Sequence, residues 1–383
     1  MRFFLLAFSC LFSFAFGVNS DANTDVKALV SFGARVSGSQ NLENAAQYLL
    51  SEYRKIGADS SIQTFHFSRL RDVGSYISVG GKRFEADALF ASSVSDLEAE
   101  VVAVPNQGAR SDYNHLDVRG RIVLVKRGGI PFLEKARAAQ SAKAIGVVIV
   151  NSVPGRLSAN LLGEFDIPVL AISGTDGTAL YNQALRTSFM RLRLVSGVRE
   201  NQIVGKNVVA KFSLETPKLI VGGHFDSVPG SPGANDNASG TAVILEMARR
   251  LPDTLRKQIW FVSFDAEEDG LVGSAAFAAG LPNAEIPKIK AMLNFDMVGV
   301  NNNLAVGGSS SLVDLVRGID PKIGSFNDFS GSDHASFIAE GIPAVFFWRG
   351  FEPNYHLPSD TSINPKLLEE VVQIGLETVR RLL

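Results

Sequence analysis

Two histidines and four carboxylates, spread through the C-terminal part of a 383-residue chain, are the side chains whose types and spacing could do chemistry together. They are His224 in Gly222-Gly223-His224-Phe225-Asp226-Ser227, Asp236 in Asn235-Asp236-Asn237-Ala238-Ser239-Gly240, the pair Glu267-Glu268, Asp296 in Asn294-Phe295-Asp296-Met297, and His356 in Tyr355-His356-Leu357-Pro358-Ser359-Asp360. The set is what a two-metal hydrolase needs. One carboxylate bridges the ions, each ion takes one His or Glu and one more ligand, and the sixth group works on the water. Taken singly, each motif has a plainer reading. Glu267-Glu268 alone is a charged turn, and Asp236-Asn237 alone is a helix cap followed by Gly240 for close packing. Their joint occurrence after strand-like apolar runs is what favours metal.

The elements around these residues explain how they could meet. From Asn207 onward, apolar strands alternate with amphipathic helices. Strand candidates are Val208–Phe212, Leu219–Val221, Ile259–Phe264, Ala291–Phe295, Leu304–Val306 and Ala344–Trp348. Helix candidates include Gly240–Leu251 and Pro365–Leu383, the latter with Leu368, Val371, Val372, Val379 and Leu382 on one face. This alternation implies a mostly parallel mixed sheet sandwiched by helices, an α/β fold. Ligands of such sheets bind beyond the carboxyl ends of the strands. His224, Glu267-Glu268 and Asp296 close the Leu219, Ile259 and Ala291 strands, and His356 follows the Ala344 strand through a loop.

Ahead of this lies a helix in which Leu42, Ala45, Ala46, Leu49, Tyr53 and Ile56 recur at helical spacing, with Ser39 or Asn41 to cap it and Gly57 to stop it. It reads as the first element of the mature chain, followed by a strand-like Ser61–Phe67. The texture changes near residue 95. Val101–Val104, Arg121–Lys126, Phe132–Lys143, Ile145–Val150 and Ile167–Ile172 form a smaller unit of β-α-β pieces that closes near residue 195. The expected division is 1–20 as a signal peptide, 21–95 with 196–383 as the metal-bearing domain, and 96–195 as an inserted, β-rich domain.

Composition narrows the class. Hydrophobic residues make up 46% of the chain, enough for two buried cores, and 37 basic side chains nearly balance 39 acidic ones. No basic patch calls for nucleic acid. At the N-terminus, Met1-Arg2 precedes an apolar run from Phe3 to Phe16, which is too short for a membrane span and reads as a secretory signal, with Ala15-Phe16-Gly17 as the best cleavage site. The expected location is secreted or periplasmic, with no membrane anchor after cleavage. The single cysteine, Cys10, lies in that run, so a metal site in the mature chain must use His and carboxylate.

The motifs resemble those of the secreted co-catalytic zinc exopeptidases, the bacterial leucyl aminopeptidase and aminopeptidase Y group of metallopeptidase clan MH. The resemblance rests on Gly223-His224-Phe225-Asp226-Ser227, Asn235-Asp236-Asn237-x-Ser239-Gly240, Glu267-Glu268-x-Gly270-Leu271-x-Gly273-Ser274, Asn294-x-Asp296-Met297-x-Gly299 and Tyr355-His356-x-x-x-Asp360. The inserted block resembles a protease-associated (PA) domain, through Val118–Phe132, Lys135, Ala139 and Ala144-Ile145-Gly146. The resemblance implies two zinc ions per chain, with Mn or Co able to replace them in vitro. It implies that Asp236 bridges them, that His224 and Asp296 complete one site and that Glu268 and His356 complete the other. Glu267 would be the general base. Asp226 would accept the imidazole N–H of His224, and Tyr355 could donate to the oxyanion.

The implied activity is that of an aminopeptidase acting on peptide substrates. A carboxypeptidase or dipeptidase on the same scaffold is the alternative, with Arg349 available to hold a substrate carboxylate, and a single-zinc glutaminyl cyclase is a further one. Among the other polar residues, Asp265 and Asp269 read as solvated turn residues, and His334 in Gly331-Ser332-Asp333-His334 reads as lying near the site. Many family members have Arg where Gly331 stands.

Overall fold

The computed structural model describes residues 21–383 except 90–91, 156, 158–165, 188 and 328–330. The proposed signal peptide lies outside the described residues. The chain divides into two compact units, one of residues up to His66 with Val204–Leu383 and one of Phe67–Ile203.

The larger unit begins with α1 (Asp21–Ser31), an element that the sequence reading passes over, and α2 (Gln40–Lys55). The Ser39 side chain caps α2 by accepting the Leu42 N–H at 3.2 Å, and Gly57 past its end has φ +85. β1 (Asp59–Asp72) then leads into the smaller unit.

The smaller unit is a closed barrel in the order β2-β3-β7-β6-β5-β4-β8. Its strands are β2 (Tyr76–Val79), β3 (Lys82–Ala88), β4 (Ser95–Ala103), β5 (Ile122–Lys126), β6 (Gly146–Val150), β7 (Val169–Ile172) and β8 (Arg191–Ser196). The run β4-β5-β6-β7 is parallel, with α3 (Phe132–Ser141) crossing between β5 and β6. Val123 and Val125 pack in the cluster that holds Ala136 and Ala139 of α3. Ile122 and Leu124 pack in the one that holds Leu180 and Tyr181 of α4 (Gly174–Arg186). The barrel takes up β2 and β3, which precede the change of texture near residue 95. Both are antiparallel hairpin partners with polar outer residues, so they carry little apolar signal of their own.

β9 (Val198–Lys211) returns to the larger unit. There an eight-stranded sheet runs β1-β9-β11-β10-β12-β15-β13-β14, built with β10 (Leu219–His224), β11 (Ile259–Phe264), β12 (Ala291–Phe295), β13 (Ala305–Gly308), β14 (Gly324–Ser325) and β15 (Ala344–Trp348). The four central strands β11, β10, β12 and β15 are mutually parallel, as buried strands of near-continuous apolar residues should be. Alternate residues face opposite layers. Leu219 and Val221 join the core with α1, α2, α5 (Ser239–Arg250), α8 (Ser310–Arg317) and α10 (Pro365–Leu382), whereas Ile220 joins Phe277 of α7 (Val272–Ala279) and Phe337 of α9 (His334–Ala339). A further short helix, α6 (Asp253–Arg256), precedes β11. Among the described residues no helix is long and apolar enough to cross a membrane.

Candidate metal centre and active site

Parallel pairing brings the chemistry to one sheet edge. His224 is the last residue of β10 and pairs with Phe264, the last of β11, so Glu267 and Glu268 follow directly beside it. Gly222 pairs with Asn294, and Asn294 with Phe346, which aligns the ends of β12 and β15 and sets Asp296 next to His224. The chain leaves these strands in left-handed backbone at Ala266 (φ 59), Met297 (φ 51) and His356 (φ 60), conformations that L residues rarely adopt and that cluster at functional sites.

Asp236 sits in the turn before α5, where a web of amide bonds fixes it. Asp360 accepts the N–H groups of Asn235 at 2.8 Å and of Asp236 at 3.1 Å. Asn237 donates to Phe295 O at 2.9 Å and accepts from Gly240 N at 2.9 Å. This packing leaves no room at Gly240, where a Cβ would lie 2.0 Å from Phe295 O.

The six residues converge. The Asp236 carboxylate divides its oxygens between the imidazoles, Oδ1 3.2 Å from His224 Nε2 and Oδ2 3.0 Å from His356 Nε2. Asp296 Oδ1 lies 3.4 Å from His224 Nε2, and Glu268 Oε2 lies 3.2 Å from His356 Nε2. Glu267 Oε2 stands further off, 4.0 Å from His224 Nε2. Two triads, His224-Asp236-Asp296 and Asp236-Glu268-His356, each bring their ligand atoms within 4.8 Å of one another, as does a third, His224-Glu267-Glu268. His224 is buried and His356, at 35% side-chain exposure, faces the opening.

The donor set fits divalent cations. His224 Nε2, His356 Nε2, Glu268 Oε1 and Asp296 Oδ1 are buried atoms without hydrogen-bond partners. Such atoms are costly unless something binds them. Imidazole and carboxylate without thiolate suit zinc, and also manganese or cobalt. The electrostatics agree. Burial pushes the Glu267 carboxyl well above its ordinary range, and Glu268, Asp296 and Asp333 add to this against His224. Burial, with Asp236 beside it, likewise raises Glu268 to about 7. Burial opposes the imidazolium of His356, yet contact with Asp236 and Glu268 raises it to about 10. Beyond burial, the carboxylates gathered around two imidazoles contribute to all three shifts, and bound cations would balance that negative charge.

Several residues support the cluster from behind. Asp226 Oδ1 lies 3.4 Å from His224 Nδ1, and the Asp226 carboxylate also accepts the backbone N–H groups of Glu267 at 3.3 Å and Glu268 at 3.2 Å. It therefore aims both glutamates. Ser332 donates to Asp296 Oδ2 at 2.8 Å and accepts from Asn294 at 2.8 Å. Fully buried Arg35 donates to Phe225 O at 2.6 Å, to Gly233 O at 3.0 Å and to Pro232 O, tying the loops on either side of Asp226. No local pattern marks Arg35, because its partners lie far along the chain.

Two expectations are corrected. Asp265 is not a solvated turn residue. It is fully buried and accepts from Ser37 Oγ at 2.6 Å and from Lys206 N at 2.8 Å, while burial raises its carboxyl to about 7. Asp269, by contrast, is partly exposed. Arg349 does not face substrate. Its guanidinium donates to Val298 O at 3.1 Å, Asn301 O at 3.2 Å and Asn302 O at 2.9 Å, and it pairs with Glu370 at 3.2 Å. His334 is buried with its ring stacked on Phe346 at 4.8 Å.

The pocket over the centre has two kinds of wall. Asp236, Glu267, Glu268 and Asp296 give it a charged lining, and Met297, Phe346, Trp348, Phe351 and Tyr355, with Gly331, a largely apolar one. The Tyr355 ring stacks on His356 with centroids 3.7 Å apart, and burial raises its hydroxyl pKa, keeping it a proton donor.

Comparison with known proteins follows this geometry. The chain is 32% identical over 373 residues to aminopeptidase YwaD of Bacillus subtilis (strain 168), covering 90% of this chain and 80% of that protein. Among solved structures it is similar to an aminopeptidase from Aneurinibacillus sp. strain AM-1 (TM-score 0.75, 31% identity, 94% of each chain). It is also similar to BSAP, a zinc aminopeptidase from Bacillus subtilis (TM-score 0.78, 29% identity, 94% of each chain). The PA domain profile matches residues 97–180, and that of peptidase family M28 matches residues 207–379, the stretch that contains all six clustered residues. With its mixed sheet, its PA domain and a cluster of His and carboxylate side chains that could hold metal, the chain belongs to peptidase family M28.

Proposed function

We propose that this protein is a zinc aminopeptidase that removes N-terminal residues from peptides, with Asp236 bridging two ions, His224 and Asp296 on one and Glu268 and His356 on the other. The observation that carries the choice of chain end is the pocket. Four carboxylates line it, and no Lys or Arg is among the described residues that do. A free ammonium would meet no cationic side chain there, and a C-terminal carboxylate would find no Lys or Arg to hold it, since Arg349 is committed to loop carbonyls and Glu370. The relatives named as aminopeptidases support the same reading.

When bound, the ions would act as Lewis acids toward a water and the scissile carbonyl. The chain's own residues do the rest. Glu267, held by its amide to Asp226 and raised by burial, takes a proton from the attacking water as the C–O bond forms. It then gives that proton to the departing amine nitrogen as the C–N bond breaks. Tyr355 donates its hydroxyl to the developing oxyanion. The apolar wall receives the first side chain of the substrate. The barrel unit contributes none of the six residues, and we assign it a part in choosing among longer peptides. The apolar N-terminal run supports export from the cytoplasm.

The test is parallel assay of an aminoacyl p-nitroanilide and an N-acetylated peptide with a free carboxylate. The anilide should be cleaved and the blocked peptide left intact. Cleavage of the blocked peptide alone would mean a carboxypeptidase.

A further inference from the structure

The apolar wall of the pocket ends in a residue that the protein leaves uncovered. Phe346 in that wall is buried at 4% exposure, whereas Phe351 is 67% exposed although it lines the same pocket as Glu267 and Glu268. Its ring is held nonetheless. It meets Trp348 edge-on with centroids 5.1 Å apart and lies tilted at 4.9 Å from Tyr355. A lone exposed aromatic elsewhere on a surface is ordinary. One that lines a pocket, held by two neighbouring rings yet largely exposed, presents an area that a ligand can cover.

The backbone behind Phe351 is gripped from across the site. Asn301, left-handed at φ 60, points its side-chain amide at three successive carbonyls, those of Arg349 at 3.1 Å, Gly350 at 3.3 Å and Phe351 at 3.1 Å. The amide has two hydrogens, so the three oxygens share them. Arg349 returns the grip through Val298 O, Asn301 O and Asn302 O. The loop after β12, which carries Met297, and the loop after β15, which carries Phe351, thereby fix each other. These loops hold two faces of the same apolar wall.

We propose that Phe351 sets the preference for the size of the substrate's N-terminal side chain, and that Asn301 is the positioning residue that holds it over the pocket. This rests on the aminopeptidase reading above. A larger aliphatic side chain would reach the exposed Phe351 ring, and a methyl group would not, so the ring adds to binding of the first only.

The experiment compares kcat/KM for leucine and alanine p-nitroanilides in the wild type, Phe351→Ala, Asn301→Gly, Asn301→Asp and the double variant Phe351→Ala/Asn301→Gly, with metal content measured in each. Glycine accepts the left-handed backbone, so Asn301→Gly removes the amide without strain, and Asn301→Asp keeps the shape without the donors. The leucine-to-alanine ratio should fall about tenfold in Phe351→Ala, the usual worth of lost apolar contact in a pocket. It should fall in the same direction in both Asn301 variants, through KM for the leucine substrate, with metal content as in wild type. The double variant should fall no further than Phe351→Ala, because Asn301 acts through the ring. An unchanged ratio in Phe351→Ala overturns the selection role. An unchanged ratio in the Asn301 variants, additivity in the double variant, or loss of metal on changing Asn301 overturns the positioning role. A wild type that cleaves neither anilide refutes the underlying aminopeptidase reading instead.

Discussion

Glu267→Gln separates the base from the ligands. Gln keeps the shape of the side chain and the 3.3 Å bond from its backbone N–H to Asp226, so the turn should survive. It cannot accept a proton. General base catalysis is worth about 10²–10⁴-fold, and at ~1.36 kcal/mol per tenfold this raises the barrier by about 3–5 kcal/mol. The distances favour a base over a ligand. Glu267 Oε2 stands 4.0 Å from His224 Nε2, whereas the Asp236 and Asp296 oxygens approach to 3.2 and 3.4 Å. Glu268→Gln is the counterpart, because Glu268 Oε2 at 3.2 Å from His356 Nε2 is in the position of a ligand. Elemental analysis of both purified variants, with turnover of leucine p-nitroanilide, tells them apart. Glu267→Gln should keep the wild-type metal content and lose turnover by that factor, and Glu268→Gln should lose about one ion per chain. The opposite pattern, an ion lost from Glu267→Gln with full occupancy in Glu268→Gln, would show the roles reversed. Retention of more than about a tenth of the turnover in Glu267→Gln would remove the general base from the mechanism.

Asp360→Ala orphans the buried N–H groups of Asn235 and Asp236, and should weaken metal binding by about 10–100-fold, read by chelator competition; unchanged affinity would mean that Asp360 does not hold the bridging carboxylate. The raised His356 imidazole, at about 10 in the metal-free protein, carries a proton at pH 7 that an incoming cation must displace, so affinity should fall as pH drops. Calorimetry in buffers of different ionisation enthalpy should show net proton release, and a proton-neutral reaction would contradict this electrostatic account. Val73 N donates to Gly197 O at 2.9 Å, so residues 74–196 can be replaced by a short Gly/Ser linker. The soluble variant should bind metal as before and cleave small anilides within roughly an order of magnitude, with altered discrimination among longer peptides; a variant without metal would place the barrel unit in the construction of the centre.

The sequence by itself determined which six residues the fold gathers and the layer that carries them. Continuous apolar runs ending in His224, before Glu267-Glu268 and in front of Asp296 could only be buried parallel strands, and parallel strands present their carboxyl ends together. The strands at Ile259–Phe264, Ala291–Phe295 and Ala344–Trp348 fall where the apolar pattern puts them. The Ser39 cap was legible for the same reason, since its partner Leu42 is one turn away. α1 was not. Its five apolar residues are interspersed with polar ones, and only packing against α5, α10 and the turn before α5 gives it a buried face.

What tertiary structure alone decided are the contacts between residues distant in sequence. Asp265 looks like a turn carboxylate until β9 and the loop before α2 close over it. Arg349 looks like a substrate ligand until the loop after β12 offers it three carbonyls and α10 offers Glu370. Arg35 and Asn301 bear no motif at all, because a buried hydrogen bond depends on where a partner's lone pair ends up. Apolar periodicity is a local property of the chain and can be read from it. The satisfaction of buried polar groups is a property of the assembled fold, and it is settled only when the distant partner arrives.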